Sequence, residues 1–177
     1  MVNLPKWPSR PYPAAYVAVV GPGDASAAEV ATAEQVGSLL ADEGAIVVCG
    51  GLGGVMEAAC RGASAHRGQT IGMLPGSDRS AGNRYLSVAL PTGLGEMRNG
   101  LVVRVCDALI AIGGTWGTLS EIALAMRTGK PTVVINGWKV HDPRHPEAAE
   151  LHRVTSAEEA VKAVLSCVAA DKKPGSR

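Results

Sequence analysis

The chain has 177 residues, enough for one domain with a full hydrophobic core. With 46% hydrophobic and 19% charged residues, its composition is that of a globular protein rather than a disordered segment. A net charge of +1, dispersed Lys and Arg residues and scarce aromatics argue against a nucleic-acid polymer as partner, and no apolar run approaches membrane-spanning length.

Residues 1–15 carry Pro5, Pro8, Pro11 and Pro13 and read as an extended arm. They contain no apolar core of a secretory signal, so a cytoplasmic location is expected. Tyr16 to Val20 is a short apolar run that ends in Gly21-Pro22-Gly23-Asp24. Ser26 to Glu43 follows with helical spacing of Val30, Val36, Leu39 and Leu40. Ala45 to Cys49 is a second apolar run, ending in Gly50-Gly51-Leu52-Gly53-Gly54, and Val55 to His66 is an Ala-rich helix. Thr70 to Leu74 ends in Pro75-Gly76 and leads into the polar loop Gly76 to Tyr85, where Arg79, Asn83 and Arg84 are weak contact candidates. Gly95 to Val105 has Leu94, Met97, Leu101, Val102 and Val105 at helical spacing. Ala108 to Ile112 runs into Gly113-Gly114, Thr118 to Thr128 is helical, and Gly129-Lys130-Pro131 stops it. Thr132 to Ile135 is the last strand in this reading, and a final helix spans Ser156 to about Ala170.

Short uninterrupted runs of Val and Ile are what strands covered on both faces require. Alternating with helices, they predict a single α/β domain over residues 16–170: a Rossmann-like, doubly wound parallel sheet with helices on both faces. Residues 171–177 form a polar tail. Cys49, Cys60, Cys106 and Cys167 make no C-x-x-C pair and read as reduced core thiols. His141, Asp142 and His145 are separated by Pro143 and followed by Pro146, which rules out a helical i, i+4 pair, and no metal site is expected.

In such a sheet, ligands bind beyond the carboxyl ends of the strands, where these glycine clusters fall. The densest is Asp107 to Glu121, DALIAIGGTWGTLSE. Gly113, Gly114 and Gly117 allow close backbone approach, the helix start supplies free N–H groups, and Thr115 and Thr118 add hydroxyls. Together with Trp116 they form the expected phosphate loop, and Gly21, Gly51, Gly53 and Gly54 are expected to supply the neighbouring walls. The dinucleotide fingerprint fails because Ser26 and Met56 stand where its last glycine belongs. A P-loop fails because Pro131 follows Lys130. Glu121 reads either as a catalytic carboxylate or as the close of a capping box on Thr118, like Ser26 with Glu29 and Ser156 with Glu159. Arg98 reads either as a clamp on a phosphate or hydroxyl, assisted by Asn99, or as a snorkelling surface arginine.

The segments GGTWGTLSE, MRNG and GGLGGVMEAACRGA, taken in order over roughly Val17 to Val134, resemble the LONELY GUY-type phosphoribohydrolases and relatives once labelled lysine decarboxylases. The motif residues Gly113, Gly114, Gly117, Thr118 and Glu121 are present with Arg98 upstream, while Ile112 replaces the motif's proline. The variant loop also resembles a bacterial branch similar to molybdenum-cofactor carrier proteins. The resemblance implies a ligand with a phosphate, a nucleotide in the first instance, held on Gly114 to Thr118. It implies hydrolysis of a nucleoside 5′-monophosphate to base and ribose 5-phosphate, with Glu121 stabilising the cation-like transition state or positioning water and Arg98 steadying the ribose or Glu121. The carrier resemblance implies binding without turnover of molybdenum cofactor or another phosphorylated ligand, and a nucleotide sensor is a third reading. No cofactor of the protein's own is expected, and no lysine suits pyridoxal phosphate. A homodimer or higher homo-oligomer is expected through the Gly95–Val105 and Thr118–Thr128 helices.

Overall fold

The computed structural model describes residues 14–140 and 151–171. Most of the N-terminal arm, the polar tail beyond residue 171, and His141, Asp142 and His145 lie outside the described residues. The chain order is β1 (Tyr16–Val20), α1 (Ala27–Asp42), β2 (Ile46–Cys49), α2 (Val55–Ala65), β3 (Thr70–Leu74) and β4 (Val88–Pro91). It continues with α3 (Asn99–Val105), β5 (Ala108–Ile112), α4 (Trp116–Arg127), β6 (Thr132–Ile135), β7 (His152–Val154) and α5 (Ala157–Asp171).

All seven described strands form one parallel sheet in the order β4-β3-β2-β1-β5-β6-β7. Successive side chains of each strand point to opposite faces, and this alternation divides the core in two. Val17 and Val19 of β1 pack with α1, α2 and α5, around Val36, Leu40, Ala59 and Val164. Ala18 and Val20 pack on the other face with α3 and α4, around Val102, Val103, Ile122 and Ala125. The doubly wound parallel sheet with helices on both faces is therefore present as the sequence predicts. Among the described residues, no helix is long and apolar enough to cross a membrane.

Two strands escape the sequence reading. β4 alternates exposed and half-buried positions, and β7 is three residues long with two of them exposed. Both lie at the sheet edges, where one neighbour supplies all the pairing and a continuous apolar run is unnecessary. The Gly95–Val105 helix begins with a 3-10 turn, Gly95–Arg98, before turning α-helical at Asn99. Its apolar stripe splits: Val102 is buried, whereas Leu94, Met97, Leu101 and Val105 are exposed.

Helices α1 and α2 cross with their backbones in contact. A Cβ on Gly37 would meet the carbonyl of Ala59, and one on Gly62 would meet the carbonyl of Glu34. Arg61 grips Glu34 beside this crossing through two hydrogen bonds of 2.7 and 3.0 Å. Helix propensity alone favours Ala over Gly by about 1 kcal/mol. The crossing reverses the sign, because the added methyl must push two helices apart at a cost of about 1–3 kcal/mol. Gly62→Ala is expected to lower stability in urea unfolding monitored by circular dichroism; an unchanged or raised midpoint would contradict this packing.

Candidate functional site

The sheet reverses its winding between β1 and β5, since the chain moves outward from β1 to β4 and returns to the other side of β1. Loops leaving the carboxyl ends of those two strands therefore diverge and leave a crevice. A cleft of about 530 Å³ lies there. Its floor holds Val20 and Gly21 from the end of β1. One wall is the start of α4, from Thr115 to Thr118 with Ser120 and Glu121. Another is the turn into α3, with Gly95, Glu96, Arg98 and Asn99, and Leu52, Met56 and Pro75 close the remaining side.

The sequence-derived residues divide on this geometry. Gly21, Arg98, Asn99, Thr115, Trp116, Gly117, Thr118 and Glu121 line the cleft. Gly51, Gly53, Gly54, Gly113 and Gly114 are not among its lining residues. Gly51 is buried against Leu74 and Gly72, and Gly54 starts α2 with its neighbour's N–H (Val55) bonded to Pro22 O at 3.0 Å. Gly113 is tied by its N–H to Ile135 O at 3.0 Å. Gly51, Gly54 and Gly113 thus shape the loops around the cleft. In the polar loop after β3, Asn83 Nδ2 donates to the carbonyls of Gly51 and Leu52, while Arg79 and Arg84 are exposed outside the cleft. Val20, Leu52, Met56, Pro75, Gly95, Glu96 and Ser120 are the cleft residues that sequence reasoning missed.

Helix α4 begins at Trp116, two residues earlier than the sequence suggests. Its N-cap is Thr115, whose Oγ1 accepts from Thr118 N–H at 3.4 Å. The capping box expected on Thr118 is therefore absent, and Glu121 sits a full turn inside the helix. The other two boxes fare differently. Ser26 and Glu29 form one completely. Ser156 Oγ accepts from Glu159 N–H at 3.2 Å, but the Glu159 carboxylate takes the Thr155 N–H instead of the cap's own.

Released from capping, Glu121 faces Arg98. The Nη1–Oε1 distance is 3.5 Å, and both side chains are about nine-tenths buried. Arg98 Nη1 also donates to Asn99 Oδ1 at 2.8 Å. Asn99 Nδ2 donates to Ser120 Oγ at 3.1 Å, and Ser120 Oγ–H donates to Gly117 O at 2.7 Å. This relay joins the guanidinium to the first turn of α4. Gly50 makes room for it, since a Cβ there would stand on the guanidinium. Arg98 Nε remains buried without a hydrogen-bond partner. An orphaned buried donor costs about 1–3 kcal/mol, so the arginine is held in place without being satisfied. The snorkelling alternative for Arg98 does not hold: its side chain is buried, not solvated.

Burial pushes the Glu121 carboxyl up to about 7, and the Arg98 charge offsets only part of that shift. Near neutral pH the group is poised between carboxylic acid and carboxylate. It can therefore donate or accept a proton within the cleft, and in its neutral form it does not repel an anion.

A family model, the SLOG cluster4 family, matches residues 14–164. The chain belongs to the SLOG cluster4 family. A protein of Archaeoglobus fulgidus is 37% identical to this SLOG cluster4 chain over 147 residues, covering 80% of this chain and 95% of that one. The molybdenum cofactor binding protein of Rippkaea orientalis superposes with a TM-score of 0.79 at 32% identity, covering 88% of this chain and 98% of that one. The molybdenum cofactor carrier protein of Chlamydomonas reinhardtii gives 0.78 at 29% identity, covering 88% and 99%. The resemblance to LONELY GUY-type and carrier proteins read from GGTWGTLSE and its neighbours agrees with this membership.

Stability should report the buried carboxyl of this SLOG cluster4 protein. Its folded pKa, about 7, lies above the ordinary 4.5, so the folded state holds the proton more tightly. The contribution is full below pH 4.5 and is lost as pH rises to about 7. Between these limits, wild type should lose on the order of 1–3 kcal/mol relative to Glu121→Gln, measured by urea unfolding at a series of pH values. A difference that does not change with pH would mean the carboxyl is not desolvated.

Proposed function

We propose that this protein binds a small phosphorylated ligand in the switch-point cleft without turning it over, and that molybdenum cofactor is the leading ligand. One observation carries the reading: the N-terminus of α4 and a buried, incompletely satisfied Arg98 converge on the same cavity. The helix dipole and the N–H of Gly117 favour an anion at the start of α4, where the Thr118 N–H is already held by Thr115 Oγ1, and the Thr115 and Thr118 hydroxyls extend the donor set. A guanidinium suits phosphate oxygens in a way that a lysine does not. The leading ligand is supported by the printed functions of the Rippkaea orientalis and Chlamydomonas reinhardtii relatives. Backbone N–H, hydroxyl and guanidinium donors fit the phosphate of that cargo.

A second reading has its own observation. Arg98 and Glu121 meet beside the phosphate loop, as a phosphoribohydrolase requires. There, water would replace the base at ribose C1′, giving free base and ribose 5-phosphate. Glu121 would offset the positive charge that develops on the sugar, or handle the proton of the water. The protein should be purified and its bound small molecules identified by mass spectrometry, then assayed with nucleoside 5′-monophosphates for ribose 5-phosphate. The expected result is a bound phosphorylated ligand, no release from any nucleotide, and binding weakened about ten- to hundredfold in Arg98→Ala. Release that disappears in Glu121→Gln would replace the carrier reading with the hydrolase.

The proposal includes assembly and location. Leu94, Met97, Leu101 and Val105 expose an apolar stripe beside the cleft, and a second copy of the chain covers it in this reading. Light scattering at micromolar concentration should give at least a dimer, and Met97→Glu with Leu101→Glu should give a monomer. A wild-type monomer would overturn the assembly. The four free cysteines, three of them buried, suit a reducing cytoplasm.

A further inference from the structure

Trp116 is 77% exposed, an unusual position for the side chain with the largest apolar surface. It lines the cleft and immediately precedes Gly117 and Thr118, whose N–H groups open the first turn of α4. Its indole is not loose. It leans on Trp138 with ring centroids 5.2 Å apart and planes tilted by 39°. Trp138 in turn is fixed, because its Nε1–H donates to Thr115 O at 3.2 Å and its ring lies against Gly114, where no side chain would fit. The loop that offers the anion its donors thus also carries a braced aromatic surface. Leu52, Met56 and Pro75 line the same cavity and add apolar area that a phosphate cannot use.

We propose that Trp116 is the platform on which a planar heteroaromatic ring of the ligand stacks, so that the site selects phosphate esters that carry such a ring. This deepens the phosphorylated-ligand reading above and rests on it. The phosphate anchors at the helix start, and the ring covers the indole face that solvent now occupies. Base–aromatic stacking depends on the π-face and not on a hydrogen-bond pattern, so purine and pterin rings are both accepted. Trp138 acts through Trp116 as a positioning residue: it holds the first indole at a fixed tilt and does not itself line the cavity.

The test is calorimetric titration of the full chain with GMP, a pterin monophosphate and ribose 5-phosphate, repeated on Trp116→Phe and Trp116→Ala. Quenching of tryptophan emission and light scattering are recorded alongside. Trp116→Ala should weaken at least one ring-bearing ligand roughly tenfold and leave ribose 5-phosphate within about twofold. Trp116→Phe should recover most of the loss, and quenching by the ring-bearing ligands should fade in both variants. If wild type binds ribose 5-phosphate as tightly as the ring-bearing esters, or if Trp116→Ala weakens all three alike or none, the stacking proposal is overturned while the phosphate reading stands. If Trp116→Ala changes only the oligomeric state, the indole belongs to a subunit contact and the proposal is again overturned. If wild type binds none of the three, the phosphate reading fails and takes this one with it.

Discussion

Because β5 hydrogen-bonds to β1, and not to β4 that precedes it in the chain, the two central loops leave the sheet in opposite directions. The register runs from Val17 opposite Ala108 to Val20 opposite Ala111, and Tyr16 N–H is also held by the Asp107 carboxylate at 2.9 Å. That pairing sets one side of the cleft, while Leu52, Met56 and Pro75 come from the segments after β2 and β3. It places Gly21 at the floor, carries Gly113 to Thr118 past it, and aims the start of α4 at the gap. A parallel sheet of this kind needs cover on both faces, and the cover on the α3 and α4 side brings Arg98 to Glu121.

The ion pair itself does little for the fold. At 3.5 Å with both partners nine-tenths buried, it loses hydration that a single long contact does not restore. Arg98 Nε is left unpartnered and Glu121 is partly protonated near neutrality, both signs of a pair not optimised for stability. Local rules are broken together at this spot and kept elsewhere. The Ser26 box is complete, and β5 is apolar and buried at every position. Such a concentration of unsatisfied chemistry is what a ligand-facing cavity looks like from the inside.

Much of this was legible in the sequence, for identifiable reasons. The five central strands announce themselves because burial on two faces demands largely apolar runs; β5 is buried at every position. The edge strands β4 and β7 send no such signal, since half of their surface stays wet and their pairing comes from β3 and β6. On the site side, Arg98, Glu121 and the Thr115–Thr118 turn were visible as a local pattern. The Leu52, Met56, Pro75 and Glu96 walls were not, because they come together only through the tertiary fold. Thr115 and Thr118 both offer a cap hydroxyl, and spacing alone favours the second. The backbone decides for the first, whose extended conformation, φ −118° and ψ 178°, suits an N-cap. The glycines carry a similar ambiguity. Gly51 and Gly54 let loops approach closely, and loop shaping and ligand contact leave the same mark in a sequence.

The central pairing also orders events in time. β1, β2, β3 and β4 are sheet neighbours in chain order, so their contacts close over modest loops. The β1–β5 contact spans 91 residues and must wait for a far longer closure. Loop-closure entropy therefore favours pairing within β1–β4 over the β1–β5 contact. The cleft is complete only once β5 pairs with β1, so its lining is among the last parts of the fold to come together. A ligand that waits at the cleft stabilises the finished sheet and none of its precursors.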